Sequence, residues 1–159
     1  MARVVSSPVV PAGGCAAAVR SPMSAPYRAT VLLRRADGLL SEAAGASRAD
    51  ERFRCAYLAA LKGAAAVLAA CDGAARAATG RRPRSRSAWV LMARAAPEFA
   101  DWADYFAEHS ALRAAIESGV TRSVESSAAD RFYADVGRFL IAVDDLLTGV
   151  VRGGGGVGA

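Results

Sequence analysis

The chain has one histidine, one lysine, three cysteines and few aromatic side chains, 7% of its 159 residues. Each shortage excludes something. A tetrahedral zinc site needs four ligands, and His109 with Cys15, Cys55 and Cys71 offers no set at ligand spacing. No metal and no other cofactor is expected. Nucleophilic catalysis would rest on His109 alone, and no nucleophile–base pair can be picked out around it. No Gly-x-Gly-x-x-Gly opens a helix after a strand. The glycine run at 153–156 follows the last helical stretch, so it cannot cradle a phosphate in the usual way. Cys55 and Cys71 lie on one predicted helix about 24 Å apart. A disulfide needs Cα atoms within about 7 Å, so these two cannot pair within the chain. Cys71 reads as a small core residue, and the cysteine usage fits a reducing cytoplasm. Strand formers are sparse and never alternate for long, which argues against a sheet. No segment reaches the roughly 18 apolar residues of a membrane span. The alanine-rich stretch after Ser47 comes near, but Arg, Lys and Asp interrupt it, so no membrane contact is expected.

What the chain does have is alanine and arginine. Apolar residues make up 53% of it, and the formal charge is +5. That charge is uneven: residues 1–96 carry 15 basic and 5 acidic side chains, and residues 97–151 carry 4 and 10. Nineteen of the twenty basic residues are arginine. A GC-rich genome explains that bias blandly; phosphate recognition by the planar guanidinium explains it functionally. The length suits one domain with one core.

Residues 1–23 carry three prolines and a Gly pair and read as a disordered tail, with Met23 as an alternative start of translation. A helical domain is expected over 24–150 and a flexible Gly-rich tail over 151–159. The first helix spans about Pro26 to Ala44, capped by Ser24 and ended by Gly45. The second spans Ser47 to Ala78, roughly 45 Å long. Ser47 caps it, and Asp50 and Glu51 sit where the dipole favours negative charge. Phe53, Tyr57, Ala60, Leu61, Ala64, Leu68, Cys71 and Ala75 form one stripe along it. Small residues there let a partner helix come close.

Gly80 then stops the helix. Arg81, Arg82, Arg84 and Arg86 follow, the densest charge in the chain. Such a run is either a solvated loop or a patch that contacts phosphates. It has no interleaved aromatics to stack bases. A short third helix runs from Ser87 to about Ala95. The fourth is read as continuous from Pro97 to Gly119, with Phe99, Trp102, Ala103, Phe106 and Ser110 on one face. Asp101 and Asp104 share another face that could meet a cation, but exposed acidic faces are common, and no metal site is expected there. The fifth spans Ser126 to Val150, with Phe132, Val136, Phe139, Leu140, Val143, Leu147 and Val150 as its stripe.

The blocks ERFRCAYLAALKGAAAVLAA, SAWVLMARAAPEFADWADYFA, LRAAIESG and ADRFYADVGRFLIAVDDLL resemble a family of small actinobacterial HEPN-domain proteins, the SAV-type HEPN family, over about residues 39–149. The resemblance implies an all-α bundle of four to five helices, two of them long, and pairing into a homodimer. Many members of the wider superfamily are metal-independent ribonucleases marked by an Arg, four to six residues, then a His. This chain departs from that signature. The positions an Arg would occupy before His109 hold Trp102, Ala103 and Asp104. His109 and Arg113 share a helix face in reversed order, and His109 reads as a surface residue beside Glu108. The expected function is a non-catalytic, dimerising protein-interaction module in the cytoplasm, with a protein partner or a nucleic-acid-associated assembly around it. The alternative is direct RNA or DNA binding through Arg81, Arg82, Arg84 and Arg86, and after it a ribonuclease with a displaced site.

Overall fold

A computed structural model describes residues 24–79, 87–121 and 123–153. The expected N-terminal tail, the arginine stretch 81–86 and the residues after Gly153 lie outside the described residues. In chain order the helices are α1 (Ala25–Gly45), α2 (Ala49–Thr79), α3 (Ala88–Ala95), α4 (Ala100–Glu108), α5 (Ser110–Glu117) and α6 (Ser126–Gly153), with a 3-10 turn at Pro97–Phe99 before α4. Among the described residues there is no strand. The all-α expectation holds, and α2 and α6 are the two longest elements.

The helix ends show where local chemistry and expectation part. Ser24 stands at the start of α1, but its side chain makes no capping bond; its carbonyl accepts the Arg28 N–H at 3.0 Å. Ser47 does not cap α2. The Arg48 carbonyl accepts the Arg52 N–H at 3.0 Å, so the helix starts later than expected. The Arg48 guanidinium closes on Asp50 at 2.5 Å, which holds the chain in that entry geometry. The fourth predicted helix is not continuous. It appears as the 3-10 turn, α4 and α5, with His109 between the last two at φ −83 and ψ −5. Gly119, at φ +72, ends α5 as a glycine in the left-handed region does. Helix α6 runs to Gly153, past the expected boundary at Val150.

Alanine decides the packing. The single stripe expected on α2 is a correction: between Glu51 and Cys71 only Glu51 and Lys62 are exposed. Ala56, Ala59, Ala60, Ala64 and Ala66 are fully buried, so α1 and α6 both lie close along it. Cys71, expected in the core, is only partly buried, whereas Cys55 is buried. By length and composition the 23 residues Ala49–Cys71 are apolar enough to cross a membrane, contrary to expectation, yet 61% of that apolar window is buried inside the bundle. That is the behaviour of a core helix.

Two contacts set the register of α2 and α6. Arg52 pairs with Asp130 near both helix starts, and Gly63 lies against Phe139 and Leu140 about halfway along both. The two helices are therefore parallel. Helix α1 runs against both: Leu40 approaches Gly137, and Asp37 feels Asp144. Burial first, and the Asp144 carboxylate second, push the Asp37 carboxyl above its usual value. All five phenylalanines are buried, and the expected α6 stripe from Phe132 to Leu147 faces the core.

Candidate functional site

The break between α4 and α5 collects most of the polar chemistry. Trp89 on α3 donates its indole N–H to the Tyr57 hydroxyl at 2.9 Å. Ser110 donates to the Phe106 carbonyl at 3.3 Å, and its Oγ lies 2.8 Å from the Tyr57 hydroxyl. A hydroxyl that receives one proton still has its own to give, and the Tyr57 hydroxyl lies within reach of both Ser110 Oγ and the Phe106 carbonyl, 3.3 Å away, so Trp89, Tyr57, Ser110 and that carbonyl form one network. It ties α2, α3, α4 and α5 together under the break. Among the described residues no buried side-chain nitrogen or oxygen lacks a partner. Tyr57→Phe should lower the unfolding free energy by about 1–3 kcal/mol, because it leaves the Trp89 N–H buried without an acceptor. Urea unfolding with a constant m-value checks this; an unchanged midpoint would contradict the chain of bonds.

His109 is not the surface residue that its neighbour Glu108 suggested. Its ring centroid lies 4.5 Å from Tyr105, 4.9 Å from Phe132 and 6.2 Å from Phe53. Position 109 falls three residues after Phe106 in the apolar stripe, a signal that was readable in the sequence. Its Nδ1 stands 2.7 Å from the Tyr105 carbonyl. A carbonyl only accepts, so Nδ1 carries the proton and, in the neutral ring, Nε2 keeps its lone pair. Among the described residues no hydrogen bond engages Nε2.

Arg113 shares the face with His109, as expected: its N–H donates to the His109 carbonyl at 3.1 Å. Its guanidinium is engaged elsewhere. It lies 5.2 Å from the centre of the Tyr57 ring and pairs with Glu117 at 2.9 Å. On the other side of the histidine, Tyr105 donates to Asp135 at 2.6 Å. Burial, then that hydrogen bond and the charge of Asp135, push the phenol up, so it stays protonated.

Positions 102–104 are settled by packing: Trp102 is half-buried, Ala103 is buried and Asp104 is exposed. Asp101 and Asp104 are both exposed, and no group of three or more metal-binding side chains occurs among the described residues. Arg81, Arg82, Arg84 and Arg86 lie outside the described residues, so their expected phosphate contacts have no geometry here. A shallow open groove of about 340 Å³ lies elsewhere, lined by Glu98, Phe99, Trp102, Ala142, Asp145 and Leu146. Sequence reading missed it, because two segments some 45 residues apart make it only on folding.

The family model for SAV_6107-like HEPN domains matches residues 43–144, more than half of the chain. No curated protein and no solved structure matches it. The matched span takes in all of α2, the broken helix around His109 and most of α6. The chain belongs to the SAV_6107-like HEPN family.

Proposed function

We propose that this HEPN domain is a self-associating protein-interaction module that does not cleave RNA. The observation that carries the reading is the company of its one histidine. Cleavage of a phosphodiester needs a proton-moving group and, beside it, a cation for the charge that builds on the phosphate. Near His109 the helix offers Arg113, whose guanidinium is taken up by Glu117 and by the Tyr57 ring. No arginine precedes His109 on its own helix segments. A scaffold that pairs but does not cut fits such a site, working in the cytoplasm on a protein partner or within a nucleic-acid-associated assembly. Size-exclusion chromatography with light scattering tests the pairing. A population of dimer growing with concentration is expected; a strict monomer at high micromolar concentration contradicts it.

A further inference from the structure

Resting on that reading of self-association, we infer that the outer face of α6 is the surface through which two copies of this chain pair, antiparallel, about a two-fold axis at Ile141. The core side of α6 is fully used: Phe132, Val136, Phe139, Val143 and Leu147 are at most 8% exposed. On the opposite side Ala134, Arg138, Ile141, Asp145 and Thr148 are all exposed. They recur in alternating steps of four and three, the spacing of a seam between two helices. Ile141 is 65% exposed, a large aliphatic side chain left in water at the centre of that ridge. Tyr27, Val90 and Val120, the other exposed large apolar residues among the described ones, sit apart on α1, on α3 and after α5.

Charge selects the occupant and its direction. A two-fold axis through Ile141 sets Arg138 of one copy against Asp144 and Asp145 of the other, and repeats that contact on the far side of the axis. Ala134 then faces Thr148, so the ends of the ridge stay small. A parallel pair would instead set Arg138 beside Arg138 and Asp145 beside Asp145. Isologous pairing of this kind closes at two copies. The Arg138 guanidinium already touches Asp135 of its own chain, but its side chain is 69% exposed and a guanidinium has N–H groups to spare. Asp144 has no cation in its own chain among the described ion pairs, and it faces the like charge of Asp37. A second copy's arginine relieves that excess. The groove floored by Phe99, Trp102 and Leu146 opens beside Asp145 and lengthens the contact. One helix ridge still falls short of the roughly 800 Å² per partner of stable complexes, so the dimer belongs to the weak class.

Sedimentation equilibrium of the full chain reads the dissociation constant. Ile141→Asp should weaken the dimer at least tenfold, and Arg138→Asp should weaken it severalfold. Combining Arg138→Asp with Asp144→Arg and Asp145→Arg should bring most of the affinity back, because the swapped charges again face their opposites. These residues are exposed, so circular dichroism and thermal unfolding should stay near those of the parent. In a Cys15→Ser background, Ile141→Cys should form a disulfide-linked dimer on mild oxidation that a thiol reverses. A dimer whose constant is unmoved by Ile141→Asp, or one that Ile141→Cys fails to cross-link, overturns this surface and leaves self-association standing. A parent chain that never dimerises overturns both.

Discussion

Phe132→Ala is expected to lower the unfolding free energy by about 3–5 kcal/mol. Phe132 is 2% exposed and stands where α6 meets α2, α4 and the break after α4. Its ring centroid is 4.4 Å from Phe53 on α2, 6.0 Å from Phe106 on α4 and 4.9 Å from His109 at the break. Its neighbours are stiff rings, and 12 of the 27 buried apolar residues are alanine, so few side chains can extend into the space left behind. The cost should therefore fall in the upper part of that range, a drop in melting temperature of about 10 °C or more. A loss under 1 kcal/mol would show that the aromatic cluster is not what joins α6 to the rest. The same substitution should loosen His109, so its ring protons should lose their ring-current shifts in the NMR spectrum.

The second large effect comes from one glycine measured against another. A Cβ at Gly63 would lie 2.6 Å from Phe139 Cε1 and 2.7 Å from Leu140 Cδ2. Both neighbours are buried, and the Phe139 ring has no room to swing away. Gly63→Ala gains up to about 1 kcal/mol of helix propensity. It forces α2 and α6 apart at a cost of about 1–3 kcal/mol or more. The net should be destabilising. At Gly38 on α1 nothing lies within 4 Å of the added carbon, so Gly38→Ala should stabilise by about 0.5–1 kcal/mol. Opposite signs for one chemical change, read from paired denaturation curves, follow from the seam between α2 and α6. Equal signs would mean that the seam is not tight.

These two residues also mark what could be read without coordinates. Phe132 was legible because α6 repeats large side chains every three or four positions, and such a stripe has one place to go. Gly63 was not, since nothing in its neighbourhood says that Phe139 and Leu140 will lie across from it. Alanine hides its own role in the same way. On α2 it fills the stripe and the flanks alike, so a helix buried on nearly all sides read as a helix with one buried face. No glycine or proline near His109 announces the break in the sequence. The Tyr57 and Ser110 hydroxyls both reach the Phe106 carbonyl, where an isolated helix would keep its own ladder. In sequence His109 sits beside the polar Glu108 and Ser110, while its neighbours in space are Phe53, Tyr105 and Phe132. The α6 ridge combined both kinds of information: its spacing is written in the chain, but only burial on the far side shows that the ridge is left over.

The reading of this domain as a scaffold rather than a nuclease turns on His109. Purified protein incubated with a structured RNA, beside a His109→Ala variant and at matched concentration, tests it most directly. The account predicts no cleavage that depends on His109, with any trace of activity equal in the two samples. Cleavage by the parent chain that the variant loses, with its fold and its dimer intact, would contradict it.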